Sequence, residues 1–278
     1  MPVPRAYQTS VGIQREIGAG LAVSVDYINS KGRHLIRAVE VNPTLPPTWA
    51  RLDPTRSFLR ELQGTGYNNY QALWVGVSTR WGARAQLGGS YTLASGMGTN
   101  EFEVYQAQDD RYPDDAYGYL STDERHRVVL NGSYALPWGV QVSAVLYARS
   151  GRPVDITTGT DDNKNGSLFD RPNLAPGVKV GTDAMRARSS FLTPAAGTLG
   201  DLPRNAGRGP GFWQLDVRVS KSFQVQRTRI EVLAEAFNVD NHVNLDGWIG
   251  NLRNTANFGR SIAADIARQV QLGVRVDF

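Results

Sequence analysis

The sequence contains no cysteine, which excludes disulfide scaffolds, Cys-ligated metal centres and thiol nucleophiles. It has no run approaching about 18 consecutive apolar residues, so a transmembrane helix is also excluded. The opening residues, MPVPRAYQTS, lack the apolar core of a signal peptide. The formal net charge of the 278 residues is only +4, and the basic residues are scattered, which argues against a nucleic-acid partner.

Alternation of apolar and polar residues, the pattern of a half-buried β-strand, recurs along the whole chain. In the closing segment QVQLGVRVDF, Val270, Leu272 and Val274 share one face, whereas Gln269 and Gln271 share the other. Most alternating segments have the roughly 9–11 residues that a tilted strand needs to cross a bilayer, and they exceed typical soluble strands. The nine segments are 7–17, 21–27, 71–81, 85–93, 128–136, 140–148, 213–223, 229–237 and 269–278.

The connections between these segments alternate between short and long. Tight turns lie around 18–20, 82–84, 137–139 and 224–228, whereas the long polar segments are 28–66, 94–123, 149–211 and 238–268. Outer-membrane barrels have short periplasmic turns and long extracellular loops. The asymmetry therefore predicts that the long segments lie outside the cell.

Aromatic residues occupy both ends of the apolar face. Those near the long loops are Tyr7, Tyr27, Tyr91 and Trp213, and those near the short turns or the C-terminus are Trp81, Tyr134, Phe223 and Phe278. Two such belts suit lipid-facing strands, because amphipathic rings settle at the headgroup level. The alternative, the core of a β-sandwich, needs no aromatic residues at both ends of one face.

These patterns together predict an all-β fold: an antiparallel up-and-down transmembrane β-barrel segment of about nine strands, forming a partial barrel with long extracellular loops. The polar face of each strand would line a wet lumen. The predicted location is the bacterial outer membrane, with outer-membrane lipid as a partner.

Six phrases in order along the chain extend the argument from pattern to family. They are DYINSKGRHLIRAVEVNP (26–43), NNYQALWVGVSTRW (68–81), TDERHRVVLNGSYALPWG (122–139), RNAGRGPGFWQLDVRVSKSF (204–223), EAFNVDNHVN (235–244) and the closing QLGVRVDF. From about residue 5 to its end, the chain thereby resembles the C-terminal barrel of TonB-dependent outer-membrane transporters, most closely the Oar-like group. The resemblance implies a barrel of about 22 strands closed around an N-terminal plug, of which these strands match the last nine.

The resemblance also implies uptake of a bulky, scarce nutrient that the outer loops capture and a remodelled plug admits. The plug domain, the remaining barrel strands and the TonB energy-transducing complex are the implied partners. The sequence shows no plug and no TonB-interacting segment, and nine strands with open edges cannot close in lipid. We therefore expect residues 1–278 to be the C-terminal part of an outer-membrane barrel, inactive in transport as a fragment alone.

Two other functions remain open from the sequence. The first is a structural or adhesive outer-membrane surface barrel, whose loops bind partners without transport. The second is a secreted β-sandwich binding module. An enzyme is not expected, because the sequence has no nucleophile elbow, no credible catalytic triad and no HExxH motif.

The segment 160–170, TDDNKNGSLFD, partly matches the start of a calcium-binding loop. Side-chain oxygens alternate along its first half, and Gly166 permits a sharp turn. The bidentate Glu expected six residues after this glycine is replaced by Pro172, with Asp170 as an imperfect substitute. The alternative is an Asx-rich turn without a metal, and no other cofactor is predicted. The predicted calcium ligands are Asp161, Asn163, Asn165 and Asp170.

The long segment 94–123 carries an acidic run, 108–115, which we expect to be solvated. The same segment is rich in tyrosine, which combines a large contact area with a polar tip, as binding loops require. It is therefore the candidate substrate-contacting loop. Its tyrosines are Tyr105, Tyr112, Tyr117 and Tyr119.

The closing strand resembles the barrel-assembly signal of outer-membrane proteins, in which alternating apolar residues lead to a terminal aromatic residue. The resemblance implies recognition by the barrel-assembly machinery, through pairing with the exposed edge of this strand. The alternative is an ordinary edge strand that ends in Phe. The matching residues are Leu272, Gly273, Val274, Val276 and Phe278.

Overall fold

The computed structural model describes residues 2–18, 20–99, 101 and 107–278. Its main feature is one antiparallel sheet, in which nine long strands pair in their order along the chain. The predicted all-β meander of nine strands is therefore confirmed. The strands are β1 (Arg5–Glu16), β2 (Leu21–Glu40), β3 (Arg60–Trp81), β4 (Ala85–Gly98), β5 (His126–Ala135), β6 (Val140–Arg149), β7 (Phe212–Val225), β8 (Thr228–Phe237) and β9 (Gln269–Asp277).

Shorter elements lie mainly in the long connections. The two-residue strand Gly118–Tyr119 pairs with the end of β4. Two-stranded ribbons join Thr44–Leu45 with Ala50–Arg51, Pro153–Val154 with Gly207–Arg208, Asn173–Leu174 with Phe191–Leu192, and Leu245–Trp248 with Ser261–Ala264. Short 3-10 helices span Pro113–Ala116, Pro137–Gly139, Asp183–Arg186 and Arg188–Ser190. Among the residues described, no helix has the length and apolar character needed to cross a bilayer.

The sheet has an apolar face and a polar face, because paired residues of neighbouring strands point to the same side. Leu130 of β5, Leu146 of β6 and Leu215 of β7 form one apolar row. In the adjacent row, Asn131 and Asp216 point to the opposite side. The alternation read from the sequence therefore corresponds to two chemically distinct faces.

The apolar face is exposed rather than covered by a second sheet. Leu272 of β9 is 81% exposed, and Val11 of β1 is similarly exposed. Trp81 and Tyr134 lie on this face beside the short turns, in the row that the sequence predicts as an aromatic belt. A β-sandwich buries such a face, whereas a membrane barrel turns it to lipid, so the β-sandwich alternative is wrong.

The first hairpin is longer than the sequence predicts. β2 does not end near Tyr27 but continues to Glu40, and β3 begins at Arg60, so the first long loop is 41–59 rather than 28–66. The register shifts near His34, which has a left-handed φ of 56°. Such a bulge changes which side chains share a face, and therefore hides the alternation beyond it.

The two outer strands of the sheet each have one unpaired edge in the described chain. β1 pairs with β2, and β9 pairs with β8, but β1 and β9 do not pair with each other. The barrel is therefore open. Unpaired backbone groups cost several kcal/mol each in lipid, so both edges require further partners in a membrane.

Candidate functional site

The four long connections fold onto one another rather than extending freely into solvent. They are L1 (41–59), L2 (99–125), L3 (150–211) and L4 (238–268), and together we call them the loop layer. L3 and L4 share a small apolar core, in which the rings of Phe191 and Phe258 pack edge-on with centroids 5.7 Å apart. The buried members of this core are Ile156, Met185, Phe191, Leu202, Ala206, Leu252 and Phe258.

Two buried arginines of L3 fasten it to L2 and to the end of β4. Arg171 is 1% exposed, and its Nη2 donates to Oδ2 of Asp115 over 2.6 Å. Arg204 is 0% exposed, and it donates from Nη2 to the carbonyl of Gly98 over 2.7 Å and from Nη1 to Glu101 over 3.2 Å. A buried guanidinium requires such charge-assisted bonds, because its charge has lost the hydration of water.

The acidic run 108–115 is not simply solvated, so the prediction for it is wrong. Asp109 is buried 2.5 Å from Arg111, and Asp110 lies 2.6 Å from Arg37 of β2. Burial raises the pKa of Asp110, although hydrogen bonds and the charge of Arg37 act in the opposite direction. Because Arg37 is far from the run in sequence, no local pattern reveals this pairing.

The structure brings the predicted calcium-loop residues together. Oδ2 of Asp170 accepts hydrogen bonds from the backbone N–H groups of Asp162, over 2.6 Å, and Asn163, over 2.8 Å. Oδ2 of Asp161 accepts a bond of 3.0 Å from the N–H of Gly166. The other carboxylate oxygen of each, Oδ1 of Asp161 and Oδ1 of Asp170, is buried without a hydrogen-bond partner.

The two predicted asparagine ligands also attach the segment to L2. Asn163 and Asn165 both donate from Nδ2 to the carbonyl of Gln108, over 2.9 and 2.6 Å. Their Oδ1 atoms accept backbone bonds from Asn165 and Ser167, as in Asx turns. Each amide oxygen retains one lone pair for a further ligand.

Negative charge is concentrated around Asp170. Burial raises the pKa of this carboxyl to about 6, and repulsion by Asp161 and Asp162 adds to the shift. The two backbone N–H groups that bind its Oδ2 act in the opposite direction without cancelling it. The site therefore favours a neighbouring positive charge.

The three predicted substrate-loop tyrosines that the structure describes do not form one cluster. Tyr112 is 56% exposed, whereas Tyr117 stacks on Tyr67 of β3 with ring centroids 5.7 Å apart. Tyr119 lies beneath the guanidinium of Arg208, 4.4 Å from its ring centroid. The fourth, Tyr105, lies outside the described residues.

A cleft of about 550 Å³ opens between L3 and L4, at a place that the sequence does not single out. Hydroxyl groups and two guanidinium groups line it, so it suits a ligand rich in oxygen atoms or carrying negative charge. Its residues are spread across the two loops, and no spacing signal could have found them. They are Thr158, Thr160, Arg188, Ser189, Phe191, Thr193, Leu252 and Arg253.

The residues of the predicted assembly signal lie along β9, except Phe278, which follows its last residue. Leu272, Val274, Val276 and Phe278 are exposed, and the first three share the apolar face. Gly273 points to the other face, where an added Cβ would come within 3.1 Å of Leu233. The edge of β9 away from β8 has no strand partner in the described chain.

Comparison with a family model agrees with this architecture. The model of the outer membrane beta barrel domain matches residues 1–271. No curated protein sequence matches the chain.

Solved structures share the fold over 98% of the chain. The outer membrane transporter YddB from Escherichia coli is 11% identical, with a TM-score of 0.64 and 32% of its length covered. The ferric-catecholate import receptor Fiu from E. coli K12 is 11% identical, with a TM-score of 0.52 and 27% covered. FpvA from P. aeruginosa, solved with heterologous pyoverdines, is 10% identical, with a TM-score of 0.52 and 26% covered.

The chain thus spans about a third or less of the length of these structures. At such low identities the likeness is one of fold. The predicted resemblance to outer-membrane transporters is confirmed at that level.

Proposed function

The chain belongs to the outer membrane beta barrel domain family, and from this membership we propose that it forms part of the barrel of a TonB-dependent receptor for a bulky, scarce nutrient. As a member of this family it is an outer-membrane protein with the fold of outer-membrane transporters. The observation that best supports uptake is the loop layer, which lies at one end of the nine-stranded sheet. This sheet has a polar face that would line the lumen of a closed barrel. A ligand can be captured there at the entrance of a lumen.

The open edges of β1 and β9 support a larger assembly. We assign residues 1–278 to the C-terminal part of its barrel, with the remaining strands paired to these two edges. A plug domain would contact the polar face, and the TonB complex would act on that plug. On this proposal the nine strands alone transport nothing.

The exposed tyrosines and the cleft are the proposed nutrient contacts. Tyr112 presents an exposed ring beside the guanidinium of Arg111, and Tyr117 presents the outer part of a stacked pair. The guanidinium groups of Arg188 and Arg253 line the cleft between L3 and L4. These groups suit an oxygen-rich or anionic nutrient. Tyr105 is included among the proposed contacts on the basis of the sequence alone.

We also assign the closing strand to recognition by the barrel-assembly machinery. Its apolar side chains and free backbone edge support pairing by β-augmentation. The side chains proposed to carry the signal are Leu272, Val274, Val276 and Phe278, while Gly273 keeps the inner face of the strand open for Leu233.

A structural or adhesive surface barrel is the second candidate. The observation in its favour is exposed apolar side chains on L3, namely Leu168 and Phe169. Exposed apolar groups on a layer held by buried ion pairs suit contact with a macromolecule. In that case the loops would bind a partner and nothing would cross the membrane.

Uptake assays distinguish the two candidates. Cells with and without the complete receptor to which the chain is assigned would be given radioactive ferric citrate and ferric catecholate under iron limitation, and accumulation would be measured before and after a protonophore collapses the proton gradient. Transport predicts accumulation that requires both the protein and the gradient. Adhesion predicts surface binding that survives the protonophore and no protein-dependent accumulation.

A further inference from the structure

The strongest unexplained feature of the loop layer is a pair of buried oxygens in L3. Oδ1 of Asp161 and Oδ1 of Asp170 have no hydrogen-bond partner, although Asp170 is only 1% exposed. Oδ2 of Asp170 is held by the backbone N–H groups of Asp162 and Asn163, so its Oδ1 lies beside the same turn. A buried carboxylate oxygen without a partner is costly, which indicates a missing positive group.

The other acidic groups of the loop layer illustrate what is absent there. Six carboxylates each lie within 3.2 Å of an arginine nitrogen, in the pairs Asp109–Arg111, Asp110–Arg37, Asp115–Arg171, Asp123–Arg208, Glu101–Arg204 and Glu124–Arg152. Within the described part of the chain, no ion pair of 4.0 Å or less involves Asp161, Asp162 or Asp170. The arginines thus neutralise these six carboxylates, but among the described residues none of them forms an ion pair with Asp161, Asp162 or Asp170.

We propose that segment 160–170 binds one divalent cation, namely calcium, through Oδ1 of Asp161 and Oδ1 of Asp170. The candidate ligand atoms, Oδ1 of Asp161, Asn163, Asn165 and Asp170, are all oxygens, whereas zinc prefers nitrogen and sulfur ligands. Calcium accepts carboxylate, amide, carbonyl and water oxygens in a flexible shell of six to eight ligands. The remaining lone pairs on the Oδ1 atoms of Asn163 and Asn165 supply neutral donors.

Neutral donors are needed, because acidic side chains alone do not build the site. Among the described residues, no group of three or more His, Cys, Asp or Glu side chains is arranged to hold a metal ion. Two charged ligands with neutral oxygens and water are typical of a weak extracellular site, with a dissociation constant of about 0.1–1 mM.

The ion would fasten three loops together. Asn163 and Asn165 donate to the carbonyl of Gln108 in L2, and the hydroxyl of Thr44 in L1 donates to the carbonyl of Lys164. Ordering the turn around the ion therefore orders its contacts with both neighbouring loops. This inference does not depend on transport, since an adhesive barrel would use the same site.

The lysines of the chain provide a local probe of calcium binding, because a lysine-specific protease cleaves after each of them. There are four, and Lys164 lies inside the proposed site, Lys179 lies elsewhere in L3, and the other two lie in strands. The full chain in detergent would be digested with endoproteinase Lys-C in about 1 mM calcium chloride or in EDTA. We expect calcium to slow cleavage after Lys164 about tenfold, while cleavage after Lys179 is unchanged.

Matched variants test the ligands. Asp170→Asn keeps an oxygen for the two backbone N–H groups and places an amide where the unpartnered oxygen lies, so calcium protection of Lys164 should disappear. Asp161→Asn should have the same effect, and it replaces Asp170→Asn as the test variant if Asp170→Asn does not fold. Asp183→Asn, which changes an exposed carboxylate of the same loop, should keep full protection.

Calorimetric titration with calcium chloride provides the direct measurement. We expect one ion per wild-type chain and no binding by either site variant. The proposal fails if the wild-type chain binds no calcium at 5 mM, or if a folded site variant keeps wild-type affinity. It also fails if potassium chloride of equal ionic strength protects Lys164 equally, because screening alone would then explain the effect.

Discussion

The sheet and the loop layer of this protein are organised in opposite ways. The sheet turns apolar side chains such as Leu272 outward and keeps its polar groups inside, whereas the loop layer buries charged groups such as Arg171 and Arg204. The sheet therefore depends on its surroundings, because only lipid makes an apolar exterior favourable. The loop layer depends instead on specific ion pairs between residues far apart in sequence, and these pairs hold it together in water.

Removal of a buried arginine should break the loop layer most strongly. Arg171→Met would remove the arginine from the carboxylate of Asp115, whose side chain is 25% exposed, so we expect the lower end of the about 3–5 kcal/mol that breaking a buried pair costs. Denaturant titration of the protein in lipid vesicles, followed through a loop probe, measures this loss in the free energy of unfolding. A loss below about 1 kcal/mol would mean that water at the partly exposed Asp115 replaces Arg171 and that the layer is not held by buried charge.

The dependence of the sheet on lipid can be tested with two consecutive residues of β6. Leu146 points to the apolar face and Val145 to the polar face. Leu146→Arg should lower the free energy of unfolding in lipid by about 2–4 kcal/mol, the cost of a basic residue facing the bilayer interior. Val145→Arg, beside Asp216, should change it much less, and equal losses would contradict the assignment of the two faces.

A smaller effect is expected in the apolar core of the loop layer. Ile156 is 0% exposed between L3 and L4, and Ile156→Val removes one methylene group. The expected cost is about 0.5–1.5 kcal/mol of loop-layer stability, measured by hydrogen exchange of the surrounding amides. Protection unchanged by this variant would indicate that the core is loosely packed.

The smallest effect sharpens the distinction between buried and exposed pairs. Arg56 lies 3.3 Å from Asp53 in L1, but both side chains are largely exposed. Water and salt screen such a pair, so Arg56→Met should leave the stability of the loop layer unchanged within error. A loss comparable to that of Arg171→Met would remove the contrast between the two kinds of pair.

The sequence predicts the sheet well because strand periodicity is local. The rows through Leu146 and Val145 follow directly from alternation, and only the bulge near His34 hides part of β2 and β3. The loop layer is different, because its pairs join residues far apart in sequence. Arg37 meets Asp110 across 73 residues, and Arg204 meets Glu101 across 103, so no window contains both partners.

The calcium-loop residues lie between these two cases. Their spacing is local, and the structure places Asp161, Asn163, Asn165 and Asp170 in one turn. The attachment of both asparagines to Gln108 could not be foreseen, because it joins two separate loops. The binding of calcium itself stays a prediction.

The long β2–β3 hairpin determines how far L1 stands from the membrane. Its strands have 20 and 22 residues, whereas about 9–11 suffice to cross a bilayer. The surplus of roughly ten residues per strand, at about 3.3 Å each, raises the tip some 30 Å along the strand direction. The hairpin thus carries L1 to the height at which Thr44 bonds to Lys164 of L3, so its surplus length sets the height of the loop layer above the membrane.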